Sequence, residues 1–229
     1  MRATGPRRWV ASLLFVSVCV AASAQVAPAP AAPELPAGLT AHWHSGKVIG
    51  RPPALTVVDL VGSNHIEFPG WLSVAPEGGL LIDGTQKAGV RLAQKYPVSP
   101  RFTLGVDMNP AIDGPEHQTL VYLYGFCELR YRASRGELTM NVWQISREEA
   151  GKQIISSVRL PVPAGKWSRV QVVISPESAR LVVDGVPAET PLPGTWEFLP
   201  TAVPLFIGFG GSDRAYKGLF NHLYFAETR

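Results

Sequence analysis

The sequence predicts an all-β chain, folded as a two-sheet antiparallel jelly-roll sandwich. Three observations carry that expectation. Short apolar or alternating segments recur along the chain, separated by turn residues. From Leu39 onward no helix-length stretch keeps an apolar period of about 3.6 residues. The chain's 21 prolines recur too often to leave room for many helices.

The chain opens with Arg2, Arg7 and Arg8, an apolar run from Trp9 to about Val20, and then Ala22-Ser23-Ala24. A basic start, a short apolar stretch and a small-x-small site describe a secretory signal peptide over residues 1–24, cut between Ala24 and Gln25. The run is shorter than the roughly 20 residues a spanning helix needs, so the mature chain is expected to be exported with no transmembrane segment. Residues 25–38, QVAPAPAAPELPAG, read as an extended Pro/Ala-rich linker. The domain then occupies 39–229, about 190 residues, enough for one core.

Removing the leader also changes the charge. The whole chain has 21 Lys+Arg and 18 Asp+Glu, and the leader takes three arginines with it, leaving 18 of each. A neutral balance offers no basic footprint for nucleic acid. Of the two cysteines, Cys19 leaves with the leader, so Cys127 has no internal partner and the core must hold the fold without disulfides.

The clearest strand segments, in order, are 102–108, 119–124, 127–133, 138–143, 157–162, 167–175, 180–183, 205–209 and 219–226. Val170, Val172 and Ile174 alternate with Arg169, Gln171 and Val173, which buries one face of that strand. Val183-Asp184-Gly185-Val186 signals a tight hairpin, because Asp and Gly tolerate the positive φ such turns demand.

An ordered series of short motifs runs through the domain. Leu39-Thr40-Ala41-His42-Trp43 comes first, then Asp59 in VVDLVGSN and Leu80-Leu81-Ile82-Asp83-Gly84. Trp167 in AGKWSRVQVVIS, RLVVDG at 180–185, Ile207-Gly208 and Tyr216-Lys217-Gly218 before LFNHLYFAE follow. The series resembles the laminin-G-like branch of the concanavalin A-like lectin/glucanase superfamily. The resemblance implies two packed, curved antiparallel sheets and, in many relatives, a ligand surface on the concave sheet or at its rim. It implies no activity, since that superfamily holds lectins, adhesion modules, hydrolases and lyases. The final strand departs from it: Asn221 and His222 stand where the family often has two acidic residues. Whether calcium binds stays open.

Catalytic chemistry finds little support. Glycoside hydrolysis needs two carboxylates across the scissile bond, and the Glu-x-Asp-x-x-Glu spacing of hydrolases on this fold is absent; Glu148 and Glu149 sit beside a loop. Alginate-type lyases have strands that Glu128-Leu129-Arg130, Gln144-Ile145-Ser146 and Tyr216-Lys217-Gly218-Leu219-Phe220 resemble in part. Ser146 replaces their histidine and Phe220 a phenol, which removes the means of proton transfer. His42 and His44 share a strand face but lack further ligands in sequence. No nucleophile elbow, phosphate loop or cofactor motif occurs. No catalytic residue and no cofactor is therefore assigned.

The densest chemistry lies in Gly125 to Ser146, GFCELRYRASRGELTMNVWQIS. As a hairpin with an even loop, Ala133 is expected opposite Leu138, Tyr131 opposite Met140 and Leu129 opposite Val142. Cys127, Leu129, Tyr131, Leu138, Met140 and Val142 then share a core face, and Cys127 is a buried apolar residue. The other face carries Glu128, Arg130, Arg132, Asn141 and Trp143, the candidate ligand-binding residues. Two readings of that face stand side by side: a solvated outer sheet, or a platform on which Trp143 stacks on a sugar while arginines and Asn141 bond its polar groups. The function expected is a secreted, non-catalytic module binding a glycan or a cell-surface protein. A small uronate lyase-like enzyme and a purely structural envelope module are the alternatives. If the leader is read correctly, mass spectrometry of the exported protein's N-terminus finds Gln25 first, and a chain still carrying Met1 to Ala24 refutes it.

Overall fold

Strands form where apolar residues recur at every second position, because such a strand buries one side. The computed structural model describes residues 27–51, 54–68, 70–86, 89–91, 95–198, 202–211 and 214–227. The leader, its cleavage point and Cys19 lie outside the described residues. In chain order the first strands are β1 (Leu39–Trp43), β2 (Val48–Arg51), β3 (Ala54–Val57), β4 (Ile66–Phe68), β5 (Leu72–Val74), β6 (Leu80–Asp83), β7 (Val90–Arg91) and β8 (Tyr96–Pro97). Then come β9 (Phe102–Pro110), β10 (His117–Leu123), β11 (Cys127–Arg132), β12 (Glu137–Ser146), β13 (Gln153–Pro161) and β14 (Ser168–Ile174). The last are β15 (Ser178–Val183), β16 (Val186–Pro191), β17 (Trp196–Glu197), β18 (Ala202–Val203), β19 (Leu205–Ile207) and β20 (Lys217–Glu227).

Two antiparallel sheets make the sandwich. One has the order β16-β15-β14-β9-β20-β6-β5, with β1 also on β20; the other runs β13-β12-β11-β10-β19-β7, with β17 beside β12. Phe102, Leu104, Val106 and Met108 of β9, Val170, Val172 and Ile174 of β14, and Leu223 and Phe225 of β20 are buried in one core. Leu129, Tyr131, Leu138, Met140, Val142, Leu205 and Ile207 of the second sheet join that core. Phe225 is its aromatic centre: Tyr96 lies 4.7 Å away by ring centroid, Phe102 5.5 Å and Trp43 5.6 Å. Burying a side chain of this size contributes about 1.5–3 kcal/mol. Cys127 is buried in the same core, and burial pushes its thiol well above the usual range, as expected of an inert apolar residue.

The expected Asp184-Gly185 hairpin is present, with Val183 opposite Val186 and both turn residues at positive φ. Several of the ordered motifs turn out to be structural anchors. Asp59 is buried and accepts from three backbone N–H groups, those of His42, Val61 and Asn64, which closes the loop after β3 onto β1. Tyr216 is buried with its hydroxyl donating to the Leu219 carbonyl. Residues 27–38 form no strand or helix, but they are tied down: Trp167 Nε1 donates to the Ala27 carbonyl at 3.0 Å, Arg169 Nη2 to that of Ala31, and Ala29 N to that of Glu77. This stretch thus runs along the eight-stranded sheet.

Strand β9 is buried on both sides. Its outward row holds Thr103, Gly105, Asp107 and Asn109; Asp107 pairs with Arg169 at 2.8 Å, and the Tyr224 ring lies over Gly105. A Cβ at Gly105 would sit 2.1 Å from Tyr224 Cζ, so only glycine fits. Beside it, β20 bulges between Asn221 and Tyr224, with His222 at φ 46°. The bulge is pinned by Ser45 N donating to Asn221 Oδ1, and it brings His222 against His42 and His44 of the β1 region. Nδ1 of His222 lies 3.4 Å from Nε2 of His42. Burial, then their neighbouring histidines, lower His42 and His222 to about 4. Arg169 adds to this at His222, whereas the Asp59 carboxylate opposes it at His42.

Two outcomes follow from this packing. Gly105→Ala should destabilise the fold by about 1–3 kcal/mol in urea titrations, and combining it with Tyr224→Ala should cost less than the two single changes added. Between pH 6.5 and about 4 the unfolded chain protonates His42 and His222 while the folded chain does not. Stability is therefore full above about pH 6.5 and falls as pH drops towards 4; His222→Asn, which tolerates the left-handed backbone, should flatten that slope in melting curves, and an unchanged slope would refute the role.

Candidate functional site

The hairpin is built by β11 and β12. Leu129 pairs with Met140, Tyr131 with Leu138, Cys127 with Val142 and Arg132 with Glu137. This is two residues away from the expected pairing of Leu129 with Val142. The cause is local: Ala133–Arg135 forms a 3-10 turn and Gly136, at φ 54°, closes it with its N–H on the Ala133 carbonyl, so Glu137 begins the return strand. A slip of two keeps parity, and the two faces keep the residues expected of them.

The outer face is laid out in rows. Phe206, Tyr122, Glu128, Asn141 and Ser157 lie across β19, β10, β11, β12 and β13. Trp143 and Ile155 form a row to one side, and Arg130, Thr139 and Arg159 one to the other. Glu128, Arg130, Arg132, Asn141 and Trp143 are thus brought to one face. Glu128, only 1 % exposed, and Asn141 are buried, unlike the three others. Glu128 Oε1 accepts from Thr119 Oγ1 at 2.7 Å and Arg214 Nη1 at 2.8 Å, and its Oε2 from Asn141 Nδ2 at 3.2 Å. Asn141 Oδ1 accepts in turn from Ser157 Oγ at 2.8 Å, and Arg214 Nη2 donates to the Gly210 carbonyl. A buried carboxylate is tolerated only with such partners. Glu128 accordingly sets the orientation of Arg214 and Asn141, while the half-buried Arg130, Arg132 and Trp143 face outward.

Sequence reasoning missed part of this face. Tyr122 sits 5.8 Å from Trp143, 6.2 Å from Phe206 and 5.7 Å from Tyr124, by ring centroids, so four aromatic rings cluster beside the Glu128 network. Tyr124 is 59 % exposed and Ile155, opposite Trp143, is 53 % exposed. The signal was available for the tyrosines, since Tyr122 and Tyr124 alternate within TLVYLY. Arg214 carried none.

The hydrolase and lyase patterns weighed in the sequence can be compared with this geometry. Glu137 is the other glutamate on these two strands, and the register sets it four residues from Glu128, about 13 Å along the sheet. Paired carboxylates of hydrolases lie about 5–9.5 Å apart. Glu148 and Glu149 are exposed in the loop after β12. The lyase-like fragments do not meet: Gln144 is buried, Tyr216 is buried, and Lys217 lies on the other sheet, bonded to Asp113. Among the described residues no group of three His, Cys, Asp or Glu side chains is placed to hold a metal ion, and no helix is long and apolar enough to cross a membrane.

No family model and no curated protein sequence matches the chain. Solved structures do. Domain 4 of AbnA, a GH43 extracellular arabinanase from Geobacillus stearothermophilus, in complex with arabinotriose, aligns at TM-score 0.54 and 14 % identity over 83 % of this chain and 92 % of that one. The binding domain of Paraclostridial Mosquitocidal Protein 1 aligns at 0.58 and 12 % identity over 83 % of this chain. Trypanosoma rangeli sialidase in complex with sialic acid aligns at 0.55 and 16 % identity over 88 % of this chain. This chain spans about half of the mosquitocidal protein structure and a third of the sialidase. At these identities the likeness is one of fold, and the fold it shows is the two-sheet antiparallel β-sandwich.

Proposed function

We propose that this chain is an exported, non-catalytic, laminin-G-like module that binds carbohydrate on the outer face of its seven-stranded sheet. The observation that carries the reading is the aromatic cluster of Tyr122, Tyr124, Trp143 and Phe206 beside the buried Glu128–Arg214–Asn141 network. A sugar ring has an apolar side and a rim of hydroxyls. Aromatic rings cover the first, and fixed polar groups orient the second. Holding Glu128 out of water stiffens the polar groups before a ligand arrives, which lowers the ordering cost of binding. Glu128 is in this reading a positioning residue, with Trp143, Arg130, Arg132 and Asn141 closer to the ligand. Two of the similar structures, the arabinanase domain with arabinotriose and the sialidase with sialic acid, hold sugars, which supports looking for one here.

A glycan array followed by calorimetry on the best ligand tests the proposal. Trp143→Ala and Tyr122→Ala should each weaken binding about tenfold or more, which is about 1.4 kcal/mol, with the melting temperature of each variant checked against the parent. New ultraviolet absorbance from unsaturated product would overturn the non-catalytic part. Binding to no glycan, together with capture of a surface protein through the same face, would replace the carbohydrate by a protein partner.

A further inference from the structure

Beyond the Glu128 row, away from the aromatic end, the outer face opens into a cavity of about 170 Å³. Its lining includes His117, Arg130, Arg132, Arg135, Thr139 and Arg159. Four arginines therefore line a volume whose lining has one carboxylate, Glu137, and its closest approach to Arg159 is 3.9 Å. Glu116 lies just outside and is already committed: it accepts from Ser134 Oγ, Ser134 N and Arg132 Nε, which hold its carboxyl down at about 2. Among the described residues neither Arg130 nor Arg135 has an ion-pair partner.

This excess of positive charge is local, since the expected mature chain has as many acidic as basic residues. Glu116 and Glu137 offset Arg132 and Arg159, which leaves the charges of Arg130 and Arg135 in excess, and an anion bound among them relieves their repulsion. Guanidinium forks match planar or tetrahedral oxyanions bidentately, which makes arginine the fitting residue for a carboxylate or a sulfate ester. Arg130 and Arg159 stand one row from Glu128 and Asn141, a step of about 7 Å along the strands. One polymer lying along the face can therefore touch the aromatic cluster and the arginines together.

We infer that the glycan this face receives is acidic, its carboxylate or sulfate groups seating among Arg130, Arg132, Arg135 and Arg159. The inference rests on the carbohydrate reading above and adds the charge class of the ligand. Calorimetric titration of the full chain tests it with four probes: oligogalacturonate, the same oligomers fully methyl-esterified, a sulfated galactan oligosaccharide, and its desulfated form. At least one charged probe should bind about tenfold or more tightly than its neutral counterpart, with the gap shrinking in about 0.5 M salt. The Arg130→Gln/Arg159→Gln variant should bring the charged probe down to the affinity of the neutral one. A gap confined to the uronate pair or to the sulfated pair supports the inference and names the source of the anion. Equal binding of charged and neutral forms, or a gap that survives the double variant, overturns it and leaves the carbohydrate reading standing. Failure of all four probes and of the glycan array overturns both.

Discussion

Each strand of the seven-stranded sheet has to bury one row of side chains against the eight-stranded sheet, and the opposite row then has only one direction left. Leu129, Tyr131, Leu138, Met140 and Val142 satisfy the core. Their sequence neighbours Glu128, Arg130, Arg132, Thr139, Asn141 and Trp143 are thereby delivered together to the outer side. The outer face is in this sense a by-product of core packing, and its composition is free to vary as long as the alternate positions stay apolar. A change of parity in β11 would empty the core and the face at once.

What separates this face from ordinary solvated sheet is the state of Glu128. A carboxylate removed from water costs several kcal/mol unless it is paired and bonded, and here Thr119, Arg214 and Asn141 all donate to it. The four strands or loops that supply this network are held in one mutual geometry by one charge. The aromatic rings around Tyr122 pack beside it, so the apolar and polar parts of the face share a rigid support. Surface charges such as Lys152 with Glu149 stand apart from this network, as exposed pairs that contribute little.

How far the sequence spoke depended on the distance over which each interaction acts. Alternation is local, so the two faces of the hairpin and the burial of Cys127 were legible. The exact pairing was not, because it turned on whether Gly136 or Glu137 ended the loop, a choice made by one backbone conformation. Arg214 lies 86 residues from Glu128 and nothing near it in sequence marks it as a partner. His222 was read as a departure from a family pattern, and only the bulge in β20 reveals that it packs on His42 and His44. Long-range pairings and bulges are products of the whole sheet, and a linear pattern carries no trace of them.

The stretch from Ala27 to Ala31 is fastened to Trp167, Arg169 and Glu77, all on the eight-stranded sheet's side of the sandwich. The aromatic and arginine-bearing face belongs to the opposite sheet. Residues 27–31 therefore lie away from that face. Three hydrogen bonds thus hold this part of the Pro/Ala segment against the back of the sandwich, and the aromatic side is left uncovered by it.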